Sequence, residues 1–274
     1  MQNRQAQHLP VKGSEKAARE LGDLLLVLKY EPDYLDRIIR QVRDSIFAAS
    51  ENLKDENNFT KIGTFDLIRM FDQYDNILFQ GRVRQTINIQ GSSLSFDLSR
   101  RLTRSGGHTK RTRALKSRPY APAQYEIAVS VPVLFATFHD DVDRPIKACG
   151  RLCFNRFEAL QRIMEHEILH LAEMLSWDIS NCSARRYKSL AINIFGHTES
   201  HHQLITPAER AKTYFGVKPG SKVTFTFEGR QIVGIVNAVR RRATVLVPSP
   251  RGTLYSDGYR YEKFYVAVDQ LKPI

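Results

Sequence analysis

His166 and His170 stand four residues apart with Glu167 directly after the first, in the run Met164-Glu165-His166-Glu167-Ile168-Leu169-His170-Leu171. On a helix of 3.6 residues per turn this spacing puts two imidazoles on one face, about a turn apart, where both can reach one metal ion. Zinc suits such donors, so the pattern predicts one Zn2+ per chain. Glu167 is placed to take a proton from an HExxH-bound water, which then attacks a peptide carbonyl polarised by the same metal. Glu173, three residues past His170, shares that face. There it either orients the second imidazole from behind or stands in solvent as an ordinary helix carboxylate.

These residues need a helix to carry them. Phe157, Leu160, Ile163, Met164, Leu171 and Leu175 recur at helical spacing, which predicts a helix over 154–177, buried on most faces. Titratable side chains in such a helix are costly unless partners satisfy them, as a metal with supporting groups would. A break follows at Trp177 to Asn181, then a helix from Ser183 to Phe195 with Tyr187, Leu190 and Ile194 inward, then a histidine-rich turn from Gly196 to Leu204. Earlier in the chain, apolar spacing predicts helices over 14–28 and 33–53, broken by Pro32, and a third from Thr64 as N-cap to Phe79, ended by Gly81. Between Val83 and Phe138 the period shifts towards two, and residues 94–98 and 125–131 read as strands.

The composition narrows the setting. A net charge of +12 and an isoelectric point near 9.7 call for an acidic partner, most simply nucleic acid. From Arg100 through Arg101, Arg104, Lys110, Arg111, Arg113 and Lys116 to Arg118 the chain carries eight basic residues and no acid, which favours a phosphate-contacting loop turning at Gly106-Gly107. Asp140, Asp141 and Asp143 do not have the spacing of a calcium loop. Three cysteines, Cys149, Cys153 and Cys182, argue against a disulfide-stapled secreted fold. No apolar leader or membrane-length stretch is present, so a cytoplasmic protein with no membrane partner is expected. From Gly216 onward, strands at 223–227, 232–236, 243–247 and 264–268 alternate with turns, the spacing of a small antiparallel barrel. Arg240, Arg241 and Arg242 occupy one turn, and Tyr255, Tyr259 and Tyr261 another with Arg251, Arg260 and Lys263. Cations interleaved with aromatics suit phosphate contact and base stacking.

Three features together resemble the SprT-like zinc metalloprotease family, Spartan-related, across roughly residues 64–204. Phe71 to Val83 looks like the family's entry helix, ending in an aromatic, a spacer, a glycine and an aliphatic residue. Ser99 to Gly107 is similar to its strand and turn leading into the sheet, and the HExxH followed by a second helix completes the order. The resemblance implies a compact α+β, zincin-like core that degrades proteins bound or crosslinked to DNA, with DNA favoured over RNA. It also implies a third histidine at the head of the helix after the HExxH, where counting back from Tyr187 gives Ser183, a poor zinc ligand. Cys182, one residue earlier, is a good one. His197 competes, although the intervening helix moves it about 20 Å along the axis. Cys182, His197 or no third protein ligand all stay open. Where some relatives carry a four-cysteine zinc ribbon, this chain has the barrel, which resembles KOW or Tudor-like modules.

The expected organisation is therefore an amino-terminal arm and helical extension over 1–63, a metalloprotease core over 64–210 and a nucleic-acid-binding barrel over 216–274. The alternative is a non-proteolytic nucleic-acid-binding protein of the transcription or translation machinery with a structural or degenerate zinc site. An open coordination position beside Glu167 separates the two.

Overall fold

Two amphipathic helices come first in the computed structural model, which describes residues 10–53, 57–114, 118–138 and 144–274. The arm before residue 10, Lys116 of the basic segment and Asp140, Asp141 and Asp143 lie outside the described residues. Helix α1 (Ser14–Val27) buries Leu21 and Leu25, and α2 (Pro32–Ala49) buries Leu35, Ile38, Val42 and Ile46. Pro32 opens α2 rather than merely separating the pair, because a first-turn N–H has no intrahelical acceptor to lose. Helix α3 (Thr64–Leu78) starts one residue earlier than a Thr64 cap would have it, with Gly63 at the cap position: the Asp66 carboxylate accepts the Gly63 N–H at 2.8 Å. Gly81 at φ 72° ends that helical run and leads into α4 (Arg82–Ile89), a helix in a stretch that reads as extended in sequence.

A three-stranded mixed sheet follows. Strands β1 (Ser93–Ser99), β2 (Gly107–Thr112) and β3 (Gln124–Ser130) take the order β1-β3-β2, with β1 parallel and β2 antiparallel to the central β3. Part of the expected basic loop is thus strand. Ser130 caps α5 (Val131–Thr137) by accepting the Val133 N–H at 3.1 Å. A small hairpin, β4 (Ile146–Ala148) and β5 (Arg151–Cys153), leads into α6 (Arg156–Trp177), capped by the Asn155 side chain. Helices α7 (Arg185–Phe195) and α8 (Pro207–Phe215) come next. One apolar core runs from Leu21 to Ile205 and includes residues of α1 and α2 together with those of the sheet and α6.

The carboxyl-terminal strands do not close into a barrel. Strands β6 (Lys222–Phe227), β7 (Arg230–Val239), β8 (Ala243–Leu254), β9 (Arg260–Val266) and β10 (Lys272–Pro273) form an open antiparallel sheet in the order β10-β6-β7-β8-β9. Closure requires the two edges to pair; here β10 is two residues long and, among the described residues, bonds only β6, while β9 bonds only β8. A second apolar core beneath this sheet includes Ala211 of α8, Val223, Val245 and Val266. No helix among the described residues is long and apolar enough to cross a membrane.

Within the main core α6 carries a charged pair. Arg162 donates to Glu165, whose carboxylate also accepts from Tyr74 at 2.6 Å and lies 2.7 Å from His197 Nε2. Burial opposes the charge on Glu165, but Arg162, His197 and Tyr74 outweigh it and hold the carboxyl below its ordinary value. Substituting Arg162→Met leaves a buried carboxylate without its cation, which should lower stability by about 3–5 kcal/mol. Denaturant unfolding measures it, and a loss below ~1 kcal/mol would show that the pair is not what secures α6.

Candidate metal centre

Helix α6 presents the Nε2 atoms of His166 and His170 to one another at 3.1 Å. Two imidazoles on a tetrahedral zinc, at Zn–N of about 2.0–2.1 Å, place their nitrogens about 3.3 Å apart. Cys182, in the segment between α6 and α7, completes the group: the three ligand atoms lie within 4.8 Å of one another. Two imidazoles and a thiol are donors that zinc accepts in a three-protein-ligand site. His197 stands elsewhere, fully buried behind α6 with Nε2 committed to Glu165.

Each imidazole is oriented from behind. Ser180 Oγ lies 2.7 Å from Glu173 Oε2 and 2.7 Å from His170 Nδ1. The carboxylate can only accept, so the hydroxyl donates to it and accepts the Nδ1–H, leaving His170 Nε2 with a free lone pair. Glu173 in turn accepts from Arg186 Nε at 2.7 Å and is 1% exposed, so it is the orienting carboxylate rather than a solvated one. His166 Nδ1 faces the buried Cys149 Sγ at 3.9 Å. Tyr187 of α7 lies under both rings and donates its hydroxyl to the His166 carbonyl at 3.0 Å. Burial, with His170 next in size, pushes His166 down to about 3, so it stays a neutral donor.

Glu167 sits beside this group without a cationic partner among the described residues. Thr109 Oγ1 of β2 lies 2.8 Å from Glu167 Oε2 and 2.9 Å from its carbonyl oxygen. Burial pushes the carboxyl up to about 8, only partly countered by Thr109, and a cation in the adjoining space would draw it back towards the carboxylate. Gly107 makes room for it: a Cβ there would come within 2.9 Å of Glu167 Oε1 and 2.8 Å of Ile163 Cγ2. The Gly106-Gly107 pair therefore serves close approach of β2 to α6, not the tight turn its sequence suggests. His166, Glu167, Cys182 and His202 share the wall of one cavity of about 350 Å³, with Arg104 among its other lining residues.

The basic residues divide by environment. Arg111 and Arg113 are not free cations; both donate to the Asp178 carboxylate at the end of α6. Lys110 is exposed on β2, opposite Glu126 in the strand register. Arg100 and Arg101, after β1, meet Arg240, Arg241 and Arg242, between β7 and β8, around one open groove of about 650 Å³. Thr103 belongs to this groove and Arg104 to the cavity, so one short segment borders both. Among the described residues none of these five arginines has a carboxylate within ion-pair distance.

No family model, curated protein or solved structure matches the chain. Sequence reasoning passes over Ser180, Arg186, Thr109 and His202. Ser180 lies in a segment that reads only as a break, and His202 in a turn whose histidine content is its one signal.

Cys182→Ala should weaken zinc binding strongly, while His197→Ala leaves it nearly intact. Ser180→Ala should weaken it by about 10–100-fold, since nothing then aims His170 through its Nδ1. Competition with a chromophoric chelator gives these affinities, and the reverse ranking of Cys182 and His197 would move the third ligand to His197.

Proposed function

We propose that this chain is a zinc-dependent metallopeptidase acting on proteins bound or crosslinked to DNA, as its resemblance to SprT-like proteases implies. The observation that carries the peptidase reading is the convergence of His166 Nε2, His170 Nε2 and Cys182 Sγ on one another beside a cavity that His166, Glu167 and Cys182 line. A structural zinc site uses four protein ligands and has no need of a poised carboxylate; three ligands with a fourth place open to a cavity suit catalysis.

Bound zinc would polarise the scissile carbonyl and make a water acidic enough to attack at neutral pH. Glu167 removes the proton of the attacking water and returns it to the departing amine, so the carboxyl ends as it began. Thr109 steadies Oε2, and Gly107 keeps the space around Oε1 clear. Orientation of the imidazoles through Ser180, Glu173 and Cys149 keeps that arrangement fixed while substrate enters.

The DNA reading is supported by the groove of Arg100, Arg101, Arg240, Arg241 and Arg242. Uncompensated guanidinium groups in one channel match a phosphodiester backbone, and exposed Tyr265 beside them offers a face for a base. A protein held on that DNA would be presented to the nearby cavity at a raised effective concentration.

Glu167→Gln should keep zinc and fold yet lose cleavage of a DNA-bound protein by at least about 100-fold. Equal cleavage by wild type and variant, or none by either on any nucleic acid, would favour the non-proteolytic binding protein. Affinity for DNA should fall steeply with salt, and replacing Arg240, Arg241 and Arg242 by Ala should shrink the log–log slope by about one for each phosphate that is no longer neutralised. Fluorescence anisotropy across a salt series measures this, and an unchanged slope would remove the groove from the interface.

A further inference from the structure

Arg104 stands in a basic run that the fold divides between two places. Arg100, Arg101 and Thr103 border the open groove, whereas Arg104 and Ser105 line the cavity of His166, Glu167 and Cys182. Strand order forces the division. Strands β1 and β2 lie on opposite sides of β3, so residues 100–106 cross the end of β3 from one edge of the sheet to the other, a span of about 10 Å. The crossing is pinned on both sides of Arg104. Ser130 Oγ donates to the Leu102 carbonyl, the Ser130 N–H donates to the Gly106 carbonyl at 2.7 Å, and the Gly106 N–H donates to His202 Nε2. The backbone at Arg104 is therefore held at the cavity, and its long side chain is the part left free to meet a ligand there.

Nothing in the protein neutralises this arginine. It is exposed, and among the described residues no carboxylate lies within ion-pair distance of it. Arg111 and Arg113, farther along the same basic run, both bind Asp178. Glu199, next to the lining residue Ser200, lies with Oε2 3.2 Å from His201 Nε2. Among the described residues Glu167 is the one carboxylate in the cavity lining, and Thr109 holds its Oε2. A guanidinium without a protein anion, beside a cavity of about 350 Å³, matches a carboxylate that the substrate brings, because its planar fork can hold both oxygens at once.

Resting on the peptidase reading, we infer that Arg104 is a specificity-determining residue, which selects substrates carrying an acidic side chain within two residues of the scissile bond. Arg104 binds that side chain and not the reacting atoms, so it decides which bond is cut and leaves the proton transfers to Glu167. The three arginines of one short segment thereby serve two ligands: Arg100 and Arg101 face phosphate in the groove, and Arg104 faces a carboxylate of the protein held on it.

Peptides with blocked ends, coupled to one DNA oligonucleotide and varied around a central bond, test this when their cut sites are read by mass spectrometry. In wild type, Asp or Glu within two residues of the cut should raise kcat/KM about tenfold over Asn or Gln, between the scale of an exposed ion pair and that of a desolvated one. Arg104→Glu should invert the preference towards Lys or Arg. Arg104→Lys should keep its sign at smaller size, because the charge remains without the planar fork. A second readout needs no cleavage: in the Glu167→Gln variant an acidic conjugate should bind about tenfold tighter than its amide counterpart, and adding Arg104→Glu should abolish that difference. Arg104→Gln should leave the salt slope of DNA binding unchanged. Cleavage or binding that ignores the acid while Arg104 is intact, or a preference that survives Arg104→Glu, overturns the assignment. So does a slope that falls by about one in Arg104→Gln, which would make Arg104 a phosphate contact like its groove neighbours. Wild type that cleaves no conjugate at all removes the peptidase reading itself, a distinct outcome, and this role with it.

Discussion

A helix buried around nearly its whole circumference that still carries Arg162, Glu165, His166, Glu167, His170 and Glu173 must be answered polar group by polar group. Each unanswered group costs about 1–3 kcal/mol, so a few of them would cancel a stability of about 5–15 kcal/mol. The partners come from every side of α6: Tyr74 from α3, Thr109 from β2, Ser180 from the segment after the helix, and Arg186 and Tyr187 from α7. The arrangement of the main core follows from meeting these demands at once while closing the apolar surface between them.

The three buried glutamates of α6 show how such answers differ. Glu165 has Arg162 and His197; Glu173 has Arg186; Glu167 has a threonine hydroxyl and, among the described residues, no cation. Two carboxylates are therefore neutralised within the scaffold and one is left with a raised proton affinity beside a cavity. Environments that push like groups apart in this way are how a fold separates its supports from its reactive groups.

Legibility in the sequence followed the range of the interactions. The helical period around His166 to His170 is local, and α6 lies within two residues of its expected bounds. Glu173 was legible as a candidate support, but its route through Ser180 was not, since that hydrogen bond depends on how the segment after the helix folds back. Strand β2 escaped because its sequence, Gly-His-Thr-Lys-Arg-Thr, lacks apolar alternation; it is held instead by β3, by Thr109 and by the clearance at Gly107. Helix α8 did carry a local signal, Thr206-Pro207-Ala208-Glu209, in which Thr206 accepts the Glu209 N–H at 3.1 Å. The carboxyl-terminal strands were visible by their spacing, whereas closure depends on pairing between distant edges that no local pattern encodes.

The shared use of Asp178 has a consequence for how this chain can change over generations. Arg111 and Arg113 both rest on that one carboxylate, and its backbone lies at φ 60°, a conformation Asp, Asn and Gly tolerate better than other residues. Asn would preserve the turn but leave the two guanidinium groups without their anion, with the residue 178 carbonyl for Arg111 and the Arg118 carbonyl for Arg113 as remaining acceptors, and Glu would preserve the charge but strain the backbone. The three positions are therefore coupled, and a substitution that removes the acid weakens the join between β2 and the end of α6 at two arginines at once.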